Sequence, residues 1–414
     1  MRSNYFIYIL STIVVSLGGT VYTFAISYFI LQATGSSVYF SINTAILSIG
    51  AIISLPISGV FVDSVNRKKI VISFEALSAL TLLFLAVYIS FFGFNIYVLF
   101  FITAIRSVIT PVISNAFDAS LTQLFDKESI QKTIGKIATY RMTILLFGPV
   151  IAGVLYGFLS LESMIFLFLF MQLISLFSNV FLEFSEVKLE ESPSVKLDSW
   201  FKSFGNRLTA GYKYVFNSHT LKQLMILSVI INAVGAASFG ILPDTIMIKE
   251  LHFEPYQVGI VSAIFGVGSL IGSLILSKVK ITNPFKVVKY AFIGVAILLL
   301  GFTLPVYYER HTILSMIYIA IIGSSMALVF QFISIPMSSF MQKTIPDDYK
   351  GRVFSINGTL SMVLMPIGTL IYGFLYQLGI YFPVNLFSSI IILVTVFVTL
   401  NKYTLTRSAD EYHS

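Results

Sequence analysis

Twelve apolar runs, each long enough to cross a bilayer as a helix, constrain this chain more than any other feature. They lie at about 5–32, 38–62, 70–92, 95–118, 137–160 and 162–184, then at 221–247, 256–277, 286–307, 312–341, 353–379 and 383–402. A helix needs about 20 mostly apolar residues to span roughly 30 Å of hydrocarbon, and the short alternating segments of a membrane barrel are missing. The composition agrees, being 57% hydrophobic and 11% charged with a mean hydropathy of +0.90. Water-soluble domains keep about a quarter of their residues charged. The chain is therefore expected to be an all-α integral membrane protein with 12 transmembrane helices.

The runs form two sets of six. This predicts an N-terminal six-helix half over 1–184, a linker over 185–220, a C-terminal six-helix half over 221–402 and a tail over 403–414. The opening "MRSNYFIYIL" enters a run too long for a signal-peptide core and reads as the first membrane helix. Of the 26 Lys and Arg, all but Arg106, Arg141, Lys249 and Arg310 fall in the termini, the linker or alternate loops. Basic residues mark cytoplasmic loops, so both termini and the linker are expected on the cytoplasmic side of the cell membrane. This topology accounts for the net charge of +7 without a nucleic-acid partner. Within the linker, Trp200, Phe201, Phe204, Leu208 and Tyr212 recur at helical spacing beside Lys202, Arg207 and Lys213. That pattern predicts an amphipathic helix lying on the lipid surface.

The two halves repeat. "FGPVIAGVLYGFL" in helix 5 and "LMPIGTLIYGFL" in helix 11 each carry a proline, Pro149 or Pro366, ahead of a shared Tyr-Gly-Phe-Leu, and each helix follows a polar loop. Helices six apart in the same orientation imply two parallel repeats related about the membrane normal.

Several apparent motifs fail on context. "GVGSLIG" at 266–272 is spaced unlike a dinucleotide loop and lies inside a span, where small residues let helices approach closely. "NGT" at Asn357 lies in a span and does not read as a glycosylation acceptor. The four histidines, His219, His252, His311 and His413, are isolated, and there is no cysteine. No metal site, cofactor motif or catalytic constellation is expected.

The polar residues within spans are more informative. Helix 1 carries Thr12, Ser16, Thr20, Thr23 and Ser27; helix 4 carries Thr103, Arg106, Thr110 and Ser114; helix 7 offers Ser228 and Asn232; helix 10 offers Ser324, Gln331 and Ser338. Such stripes either pack helices together or line a water-filled cavity. Packing suits the Ser and Thr, whereas the cost of burying Asn232, Gln331 and above all Arg106 in lipid favours a cavity. Thr20, Thr110, Asn232 and Gln331 are the cavity-lining candidates. The membrane-depth charges are Glu75, Arg106, Asp118, Arg141 and Asp244. A structural ion pair between Arg141 and Glu75 or Asp118 is the plainer reading there, and any of the acids is a candidate carrier of a transported proton.

"GVFVDSVNRKK", Gly59 to Lys69, resembles the loop 2-3 signature of the major facilitator superfamily: Gly59, Asp63, Arg67 and Lys68 fit, while Ser64 and Asn66 replace a basic residue and a glycine. "FITAIRS" is similar to the family's helix 4 motif through Arg106. "FGPVIAG" resembles the helix 5 motif of its exporters, with Gly148, Pro149 and Gly153 in place and Ala152 for a glycine. Within the family "VDSVNRKKIVI", "IRSVITPVISNA" and "DDYKGRVFSINGTLSMVLMPIG" look like the macrolide-efflux branch, which also resembles siderophore exporters. The resemblance implies the major facilitator fold, a central cavity lined by helices 1, 4, 7 and 10, and an Asp63 that faces the start of helix 11 near Arg352 to Ser355 as a conformational latch.

The expected function is export of bulky amphipathic small molecules such as macrolide-like drugs, by proton antiport and alternating access, from a monomer embedded in the bilayer and without catalysis. Siderophore or metallophore export is the alternative, with Arg106 meeting an anionic group of the cargo. A membrane scaffold or sensor that has lost transport is the third reading.

Overall fold

The computed structural model describes residues 2–64, 66–184, 215, 216, 218–308 and 312–401. The linker's amphipathic segment, Trp200 to Tyr212, and the tail over 403–414 lie outside the described residues. Twelve helices are long and apolar enough to cross a membrane. They are α1 (Arg2–Thr34), α2 (Ser37–Ser64), α3 (Arg67–Phe92), α4 (Ile96–Leu124), α5 (Lys127–Phe158), α6 (Leu161–Val180), α7 (His219–Glu250), α8 (Pro255–Lys278), α9 (Pro284–Gly301), α10 (Thr312–Thr344), α11 (Asp347–Gln377) and α12 (Tyr381–Thr399). Large apolar side chains such as Phe158, Phe177 and Leu145 stay exposed, as lipid-facing surfaces require.

Local chemistry sets the helix ends. Asn66, Asn95, Ser160, Ser218 and Asn283 accept hydrogen bonds from the first free backbone N–H groups of α3, α4, α6, α7 and α9. Gly35 and Gly93 take positive φ values of 59° and 77° just after α1 and α3, and Gly379 takes 74° just after α11. Glycine adopts that left-handed turn without strain, which permits the short loops there.

By internal contact the chain divides into two compact units, Met1–Ile30 with Ile46–Ser203, and Leu31–Ala45 with Phe204–Ser414. In the first, α3 packs on α4 and α6; in the second, α9 packs on α10 and α12, the same pairing six helices later. The internal prolines repeat likewise, Pro111 in α4 with Pro336 in α10, and Pro149 in α5 with Pro366 in α11. Within the second unit the start of α2 is fastened to α11. The Ser37 N–H donates to Gln377 Oε1 at 2.7 Å, and a Cβ on Gly373 would fall 2.0 Å from Ser41 Oγ.

α7 departs from a regular helix. It widens to π geometry over Asn232–Ala236 and again over Thr245–Glu250. Asn232 Nδ2 donates to the Ser228 carbonyl one turn back at 2.8 Å, at the start of the first π segment. Pro243, which lacks an N–H and crowds the carbonyl four residues earlier, precedes the second.

Candidate functional site: polar centres within the helical halves

The basic part of the signature loop fastens the start of α3 to its own unit. Arg67 Nη1 donates to the Ala119 carbonyl of α4 at 2.6 Å, and Lys68 Nζ donates to the Leu182 carbonyl just beyond α6 at 2.8 Å. Asn66, where the signature usually has a glycine, accepts from the N–H groups of Lys68 and Lys69 and caps the helix. Gly59 falls within α2, while the side chain of Asp63 and those of Arg352 and Ser355 lie outside the described residues.

Arg106 points into the interior of the first unit. It is 7% exposed, and Nη1 donates to both the carbonyl and Oγ of Ser78 on α3, at 3.1 and 2.9 Å. Its guanidinium carbon lies 5.2 Å from the Tyr22 ring of α1 and 5.0 Å from the Phe168 ring of α6. Both distances suit a cation on aromatic faces, which compensates for part of the lost hydration. Glu75, one turn before Ser78 on α3, is 1% exposed and is held by α6: Ser175 Oγ donates to Oε1 at 2.9 Å and Asn179 Nδ2 to Oε2 at 2.8 Å. Sequence reasoning missed these α6 partners. Their signal was present, since Gln172, Ser175 and Asn179 form a stripe at three-to-four spacing, and all three are buried.

Of the two acids considered for Arg141, the structure brings it to Asp118, with Nη2 3.6 Å from Oδ1. Both side chains are about half exposed, a setting in which an ion pair contributes little. Asp244 lies between the two π segments of α7, half-buried, with no hydrogen bond or ion pair to another described residue.

The helix 5 motif is a packing surface. A Cβ on Gly148 would meet Thr20 Cγ2 of α1 at 2.8 Å, so Thr20 occupies an α1–α5 contact, and its hydroxyl donates to the Ser16 carbonyl at 3.0 Å. Pro149 lies inside α5, Gly153 is buried and Thr110 is exposed. In the second unit Asn232 also donates to Ser361 Oγ of α11 at 3.1 Å, and Gln331 Nε2 of α10 donates to Ser269 Oγ of α8 at 2.6 Å. Phe239 of α7, half-buried, has its ring 6.4 Å from Phe265 of α8 and 5.4 Å from Phe330 of α10, giving an aromatic patch shared by three helices.

The family profile described as Major Facilitator Superfamily matches residues 8–369. Macrolide efflux protein A of Streptococcus pyogenes is 23% identical over 352 residues, covering 84% of this chain and 83% of that protein. Among solved structures, the nucleoside transporter NupG matches with a TM-score of 0.68 at 16% identity, over 96% of this chain and 98% of that one. A bacterial homologue of the iron transporter ferroportin, in its inward-facing state, matches with a TM-score of 0.67 at 14% identity over 99% of both chains.

Proposed function

The chain belongs to the Major Facilitator Superfamily and is a multi-pass membrane transporter, and from that premise we propose that it exports bulky amphipathic small molecules of the macrolide type by proton antiport. The observation that carries this reading is the family match together with similarity to a macrolide efflux protein across both six-helix sets. The half-buried patch of Phe239, Phe265 and Phe330 supports it, since few charges and several aromatic faces suit a large, partly apolar cargo. Arg106 gives little support to an anionic metallophore, because its guanidinium is engaged by Ser78, Tyr22 and Phe168.

In this proposal the two halves rock about a site near the midplane while both termini stay in the cytoplasm. The latch is assigned to Asp63 on the resemblance of its loop to the family signature, since a carboxylate suits the free N–H groups and positive dipole end of a helix start, and an engaged latch favours the outward-open state. Arg67 and Lys68 support it by fixing the start of α3 against α4 and the segment after α6. Losing the latch shifts the population towards the inward-open state, and each 1.4 kcal/mol of latch energy is worth about tenfold in that ratio.

Asp63→Asn should therefore lower efflux of a labelled macrolide from intact cells by about tenfold or more at equal surface expression. Undiminished efflux would remove the latch, and wild-type efflux that survives a protonophore would reject proton coupling.

A further inference from the structure

The interior of the first unit holds a carboxyl group with too few partners for its charge. An ionised carboxylate offers about four acceptor positions, and among the described residues the hydrogen-bond partners of Glu75 are Ser175 and Asn179 alone. The same Asn179 amide also donates to Ser175 Oγ at 3.2 Å, and Ser175 shares a 2.8 Å hydrogen bond with Ser11 of α1. Asn179 Oδ1 is buried with no hydrogen-bond partner among the described residues. The cluster thus has a surplus of buried acceptors.

Among the described residues no cation lies within ion-pair distance of it. Among the described residues the ion pairs within 4.0 Å join Arg141 to Asp118 and Lys249 to Glu250. The charged groups on the helices around α3 are engaged elsewhere. Arg106 of α4 is bonded at Ser78, Asp118 of α4 faces Arg141, and Glu162 of α6 accepts from Ser90 near the other end of α3. On α3 itself, Arg67 and Lys68 are spent on the carbonyls of Ala119 and Leu182, and Lys69 is exposed at the start of the helix. Between Asn4 and Thr34, α1 carries no charged residue at all.

A buried charge without a counter-ion is costly, and the smallest species that removes it is a proton. We propose that Glu75 is the carboxyl that binds and releases the coupling proton, with Ser175, Asn179 and Ser11 as the positioning residues that hold it. The inference rests on the proton-antiport reading above and names the acid within it. The proton adds to one carboxylate oxygen to give the neutral acid, and leaves from that oxygen to water. The cluster joins α1, α3 and α6, and Arg106 brings α4 to within one helical turn of it at Ser78. A change of charge at Glu75 therefore acts on α1 and α4, the two helices of this half that the transport reading assigns to the substrate path.

The test is infrared difference spectroscopy between acid and alkaline pH on the purified full chain in liposomes. The wild type should show the C=O stretch of a protonated buried carboxyl, which Glu75→Gln should remove and Ser175→Ala should shift. A band unchanged by Glu75→Gln overturns the assignment, as does a wild type with no such band whose carboxylate signals respond to sodium instead. Should Glu75→Gln fail to insert, a hydrophobic carbodiimide, which reacts with protonated carboxyls, can be applied to the wild type. Labelling mapped to Glu75 that fades as pH rises supports the proposal, and labelling confined to other acids overturns it. Export that ignores a protonophore fails the antiport reading, whereas a band that ignores Glu75→Gln fails only this assignment.

Discussion

Gly268→Leu is expected to prevent the second unit from assembling, and Gly268→Ala to destabilise it by about 1–3 kcal/mol. The reason is the approach of α8 to α10. A Cβ built on Gly268 would lie 2.1 Å from the Ser324 carbonyl oxygen and 2.7 Å from its carbon, and one on Gly272 would lie 2.7 Å from the Leu328 carbonyl oxygen. These neighbours are backbone, so no side-chain rotation relieves the clash and the helices must separate. Separation is costly because lipid gives no hydrophobic drive between helices, which leaves close van der Waals contact and interhelical hydrogen bonds to hold them. One such bond, Gln331 to Ser269, lies in the same seam and would be stretched by the same movement. Heating the detergent-solubilised protein in steps and following the monodisperse fraction by size-exclusion chromatography measures the effect. Gly19→Ala on α1 is the control, since its Cβ would meet nothing within 4 Å and alanine is the better helix former. A Gly268→Leu protein as heat-stable as the wild type would show that the two helices are not in this contact.

That seam was readable before the fold was known, because "GVGSLIG" places small residues four apart on one helical face, as close helix packing requires. The twelve spans were readable for a similar reason: bilayer thickness imposes a length, and hydropathy reports it directly. What periodicity cannot supply is the neighbour that a face meets. The helix 4 stripe of Thr103, Arg106, Thr110 and Ser114 is a sound pattern, yet Arg106 turns to Ser78, Tyr22 and Phe168 within its own unit while Thr110 remains exposed. Spacing of three or four allows a residue on either flank of a stripe, and only the packed partners decide which. The amide of Gln331 is costly in lipid, and the partner that spacing could not name is a serine on the adjacent helix. The π segments of α7 left no trace in hydropathy. Pro243 was a local warning of the second, while the first depends on Asn232 bonding both its own helix and Ser361.

Removing Arg106 should reveal how far the first unit depends on its two buried charges together. Arg106 and Glu75 share no contact; each is engaged by neutral groups, and they are linked through α3, where Ser78 follows Glu75 by one turn. Residues one turn apart on a helix sit about 5–6 Å apart at Cβ, so the bond to Ser78 ties Arg106 to the stretch of α3 that carries Glu75. Arg106→Met removes the cation bonded at Ser78, and Glu75→Gln removes the acid one turn before it on α3. Each single change should destabilise the protein at alkaline pH, and the double change should cost less than their sum, with a coupling on the order of 0.5–3 kcal/mol. At acid pH, once Glu75 carries its proton, the coupling should fall towards zero because only one charge remains. Arg106→Lys should not restore the wild-type value. An ammonium lacks the planar fork that reaches Ser78 while lying against the Tyr22 and Phe168 rings. Thermal melts of the four proteins at two pH values give the cycle directly. Strict additivity at alkaline pH would mean that the two charges are stabilised independently, each by its own polar cage, and that protonation of Glu75 does not reach α4 through Arg106.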